Sequence, residues 1–196
     1  KARLAISEPS TEPPVFGLKT PGDVFVSVIE ANRQLDLLLD HGIGPSEVFQ
    51  TVTLAVGYAA RLLARFPGQS RIPDAPPLER QKSPADIYRR LLLCFEHVRS
   101  LMQDSGFDVL ELHTTQEAYD WVTLGDTYEL ASLVVAELSY VPSQIPTAQL
   151  PRNVYYPGRK LPSDVYQRAG ILEAQLRNLS RWVARDRRWL TRTESE

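Results

Sequence analysis

One short pattern recurs five times along this 196-residue chain, and each copy is a way to start a helix. The copies are Thr20-Pro-Gly-Asp-Val-Phe25, Gly44-Pro-Ser-Glu-Val-Phe49, Ser83-Pro-Ala-Asp-Ile-Tyr88, the weaker Leu124-Gly-Asp-Thr-Tyr128, and Leu161-Pro-Ser-Asp-Val-Tyr166. Thr20 and Ser83 can accept backbone N–H groups as N-caps, and proline fits the first helical position because its missing donor has no partner there. The acid at the third position can bond back to the cap and complements the helix dipole. The aromatic can pack down on the entering chain. Three of the four lysines, Lys19, Lys82 and Lys160, stand four residues before the acid of a copy. Helix capping accounts for the proline and the acid and leaves this lysine unexplained, so it is open to a functional reading.

The pattern divides the chain into helices. A first runs from about Pro21 to Asp40 and stops at His41-Gly42; a second runs from Pro45 to Phe66. Their short connection predicts an antiparallel hairpin. A third spans Pro84 to Gln103, with Ile87, Leu91, Phe95, Val98 and Met102 as its apolar stripe. A fourth spans Asp126 to Tyr140, and a fifth starts at Pro162 and continues to Leu190. Residues 107–123 can be read as strand or helix; Thr114 with Glu117 favours a short helix. Residues 67–82 and 141–161 each carry four prolines. Connectors of this length reach ~50 Å when extended, against ~30 Å for a 20-residue helix, so each can cross back over a bundle. The expectation is an all-α fold: residues 1–18 as a flexible arm, then one bundle of four to five main helices at 19–196 with long Pro-rich crossovers.

Composition narrows function mostly by exclusion. A single Cys rules out an internal disulfide framework and any multi-Cys zinc or iron–sulfur site. No apolar run approaches the ~18–20 residues that span a bilayer. The net charge of -2 hides a strong asymmetry. Residues 101–150 hold eight acids and no Lys or Arg, whereas residues 151–196 hold ten basic and five acidic groups. Opposed regions of this kind suggest docking, within one molecule or between molecules. The acidic stretch would repel a polyanion, so no nucleic-acid partner is expected, nor membrane insertion. Phosphate and dinucleotide cradles and the G-x-S-x-G elbow are missing, and no cofactor is implied.

The candidate site residues fall in two groups. Arg177, Arg181, Arg185 and Arg188 share one face of the fifth helix, with Trp182 and Trp189 on another. They form a candidate partner-binding stripe, for a partner protein or a second copy. Lys82, Tyr155, Tyr156, Arg159 and Lys160 form a candidate small-ligand group of aromatics beside cations. Cys94 sits mid-helix and reads as a buried, inert thiol. The reading that results is a non-enzymatic helical binding module without a catalytic motif, serving as a sensor or accessory domain of an exported bacterial system; periplasmic location is expected ahead of cytoplasmic. Two alternatives stand beside it. One is an enzymatic or metal-binding bundle using Glu96, His97 or His113, and the other is a structural scaffold whose repeats only stack.

Overall fold

The computed structural model describes residues 20–39, 42–66, 68, 70–107, 121–143, 158–186 and 189–190. Among these, all regular structure is helical: α1 (Pro21–Leu39), α2 (Pro45–Leu63), α3 (Pro84–Asp104), α4 (Leu124–Ser143) and α5 (Pro162–Arg185). The all-α bundle with repeated Pro-capped starts is therefore what the chain forms. The expected arm at 1–18 and the short helix around Thr114 lie outside the described residues.

Heptad-like stripes build the core. In α5, Val165, Ala169, Leu172, Leu176, Leu179 and Val183 are buried at alternating spacings of four and three. In α3, Ile87, Leu91, Cys94, Val98 and Leu101 follow the same rhythm. Such spacing keeps one side of a helix turned to its neighbours. Four helices close a ring in which α5 touches α2 and α3, and α4 touches the same two from the other side. Thus α4 and α5 occupy opposite corners. α1 lies outside the ring and rests on α4, where Asn32 Nδ2 donates to Glu129 Oε1 (2.7 Å). The hairpin expected of α1 and α2 is not the packing unit, because the apolar sides of α2 are taken by α4 and α5.

The four ring helices run in the same direction. At one end the Lys160 N–H donates to Ser46 Oγ and the Lys82 N–H to Ser163 Oγ, which brings together the starts of α2, α3 and α5. At the other end, Trp189 Nε1 donates to Ser105 Oγ, just past α3, and Arg65, just past α2, donates to the Trp189 carbonyl. Phe107 meets Tyr140 edge-on there (5.4 Å), so α4 also finishes at this end. Short turns join antiparallel neighbours. Parallel ones need a connection that travels the full length of the bundle, which is the physical reason for the long connectors.

The first connector shows how the return is made. Its carbonyls accept from α5 side chains in sequence: Arg71 from Gln175 Nε2 (2.6 Å) and Pro76 from Gln167 Nε2 (2.7 Å), before Lys82 reaches Ser163. It is an extended strap over α5, running against the direction of that helix. Gly170 is the close-approach point: a Cβ there would stand 2.8 Å from Pro76 Cγ and 3.0 Å from Arg90 Nη1. Gln175 is fully buried because it also donates to the Val56 carbonyl of α2, tying strap, α5 and α2 together.

Candidate functional site

All five described helices use the acid at their own start in the same way. The carboxylate at the third position accepts the backbone N–H of the cap residue in all five: Asp23 from Thr20 (2.7 Å), Glu47 from Gly44 (3.1 Å), Asp86 from Ser83 (2.9 Å), Asp126 from Thr123 (2.8 Å) and Asp164 from Leu161 (2.8 Å). Thr20, Ser83 and Thr123 return a side-chain bond; Gly44 and Leu161 do not. The Ser83 backbone N–H and hydroxyl hold the Asp86 carboxyl below its ordinary range.

The repeated lysine acts on the neighbouring copy. The Lys82 ammonium lies 4.3 Å from the Tyr166 ring centroid, and that of Lys160 lies 4.8 Å from the Phe49 ring. Each lysine thus gives its N–H to the serine of an adjacent helix start and its charge to the aromatic of that same start. Glu79, 2.6 Å away, holds the Lys82 ammonium above its usual range, with burial working against it. Arg159 is exposed beside Lys160, and Tyr155 and Tyr156 lie outside the described residues.

The arginine stripe lies along the seam between α3 and α5. Arg90 of α3 stacks on Tyr166 (3.6 Å to the centroid), donates to its carbonyl (3.1 Å) and pairs with Glu173 of α5 (3.3 Å). Arg177 pairs with the same Glu173. Next along the seam comes His97, whose carbonyl accepts from Ser180 Oγ (3.2 Å). Burial holds the imidazole below its ordinary value; Arg177 and Arg181 push the same way, against Glu173 and Glu96. Arg177, Arg181 and Arg185 are exposed, with Arg185 over the Trp182 ring (5.5 Å). Arg181 forms no ion pair among the described residues, and Arg188 lies outside them.

α5 ends at Arg185 and not at Leu190 as its pattern predicts. Asp186 leaves the helical region (φ -134°, ψ 81°), and this break lets Trp189 fold back. Trp189 is buried against Phe66 (5.9 Å between ring centroids), which also meets Trp182 (6.0 Å). The two tryptophans therefore share a cluster without sharing a helix face.

Among the described acids of the 101–150 stretch, Asp126 is buried in its cap and Glu129 is bonded to Asn32. Burial pushes the Glu137 carboxyl above its usual range. These three sit on α4, at the corner opposite α5. Cys94 is buried with its thiol pushed up by that burial, and Sγ faces the Ala169 carbonyl (3.8 Å). Among the described residues, no group of three or more His, Cys, Asp or Glu side chains could hold a metal ion; His113 lies outside them. Nor is any helix there long and apolar enough to cross a membrane.

Sequence reasoning missed Arg90 and Glu173 at the seam, and Gln175 and Gly170 under the strap. The signal was present for the last two: a glutamine and a glycine beside the apolar stripe of a long helix. Thr123 was also missed, although it stands at the same offset from its acid as Thr20 and Ser83. Set against known proteins, the chain matches no protein family, no curated protein and no solved structure.

Proposed function

We propose that this chain is a non-enzymatic helical docking module that binds an acidic surface of a partner protein through the outer face of α5. The observation that carries the reading is Arg181. It stands between two other exposed arginines with no ion pair among the described residues, while the described α4 acids lie at the opposite corner of the bundle. A row of like charge in which Glu173 meets Arg177 and no described carboxylate pairs with Arg181 favours capture of an external anion. In this reading Lys82 and Lys160 serve the bundle, and a small ligand is not needed. An accessory role in an exported bacterial system belongs to the same proposal.

The test uses a fluorescent twelve-residue aspartate peptide followed by anisotropy. Replacing Arg177, Arg181 and Arg185 together with Glu should weaken binding by about tenfold or more. Arg61, Arg71 and Arg80, exposed elsewhere, receive the same charge reversal as a control and should cost far less. Equal losses in the two triple variants would sink the proposal.

A further inference from the structure

We infer that His97 of α3 is a titratable fourth cation beside the three exposed arginines of α5, so that acidification strengthens capture of an acidic partner. The inference rests on the docking reading above. Its basis is the arrangement of groups along the α3–α5 seam, where the His97 carbonyl accepts from Ser180 Oγ of α5 (3.2 Å), one heptad beyond the Arg90–Glu173 contact. Glu173 already serves two cations, Arg90 at 3.3 Å and Arg177. Glu96, beside His97 on α3, lies 4.0 Å from Arg99. The charged groups acting on His97 are Arg177, Glu173 and Arg181 across the seam and Glu96 on its own helix. α4, which packs on α3 at another corner of the ring, contributes none of them.

In the free protein a proton on His97 would therefore add a cation beside Arg177 and Arg181, where the two carboxylates that favour it, Glu173 and Glu96, are already shared with Arg90, Arg177 and Arg99. Burial and those two arginines keep the ring neutral to a lower pH than an ordinary histidine. An acidic partner seated on Arg177 and Arg181 supplies a further anion. Binding then draws a proton onto His97, and by reciprocity a proton on His97 tightens binding. Leu93, 53% exposed one turn before His97, offers an apolar contact at the edge of the same surface.

The same linkage has a definite sign in the free protein. A histidine whose folded value is lowered binds fewer protons folded than unfolded, so stability falls as pH drops below about 6.5. That loss should be smaller in His97→Gln, which gives a readout independent of any partner.

The binding test uses the aspartate peptide at pH 7.5, 6.5 and 5.5 and constant ionic strength, where its side chains stay ionised. The native chain should tighten about fivefold across the range. His97→Gln should lose most of this gain, with His41 and His113 still present to report any other titration. His97→Asn replaces it if the Gln variant does not fold, as judged by circular dichroism. Equal tightening in native and variant chains, or none in the native chain, overturns the role of His97. Undiminished binding by the Arg177, Arg181 and Arg185 reversal overturns the docking reading itself.

Discussion

At the start end of the parallel bundle each contact has a copy. Lys82 reaches Ser163 and Tyr166 in the way that Lys160 reaches Ser46 and Phe49, and the carboxylate-to-cap bond is made once by each of the four ring helices. At the finish end each contact is made once: Trp189 on Phe66, its indole N–H on Ser105, its carbonyl on Arg65. The start end gains its hold from many small polar contacts at the surface. The finish end gains it from one large buried ring. The difference separates two jobs in the sequence. Repetition here marks assembly, because parallel helices present the same end to one another. The exposed arginines of α5 follow no repeat, and they continue toward the unrepeated end.

The contrast implies a large gap between single substitutions at the two ends. Trp189→Ala removes a buried ring and leaves a cavity, so it should destabilise by about 3–5 kcal/mol in urea unfolding. Trp189→Phe keeps most of the ring and loses the bond to Ser105, and about 1 kcal/mol is expected. If the two variants cost the same, the hydrogen bond and not the buried volume holds the finish end.

At the start end, Ser46→Ala and Ser163→Ala each leave a lysine N–H without its acceptor. Each should cost about 1 kcal/mol, and the double variant should cost nearly the sum, since the two bonds join different helix pairs. A double variant no worse than one single would mean that the copies are not independent, and the comparison would need redrawing.

Legibility in the sequence follows the same division. The helix starts could be read because their bonds close within three residues, as between Ser83 and Asp86. The lysine could be noticed but not explained, because the partners found for it belong to another helix: Lys82 meets Tyr166 and Ser163 of α5. The finish of α5 was overextended because no local breaker stands at Asp186; the turn is coupled to burial of Trp189, a tertiary event. The arginine stripe was visible as a period. That it borders His97 and the Arg90–Glu173 pair depends on which helix packs beside α5, which periodicity does not state.

The smallest effect is a gain. Leu161 caps α5 with extended backbone (φ -107°, ψ 159°), close to that of Ser83 at α3 (φ -92°, ψ 165°), yet it has no side-chain oxygen to offer. Asp164 already bonds back to the Leu161 N–H, so only the forward half of the box is missing. Leu161 is 56% exposed, and replacing it forfeits little buried surface. Leu161→Ser should therefore stabilise the chain by about 0.5–1 kcal/mol, read as a higher urea midpoint at unchanged slope. The same change to Ala supplies no oxygen and should not stabilise. Matching midpoints for the Ser and Ala variants would show that a forward cap oxygen adds nothing to the contacts of Asp164, Lys82 and Lys160 at the start of α5, and that its likeness to the start of α3 stops short of that bond.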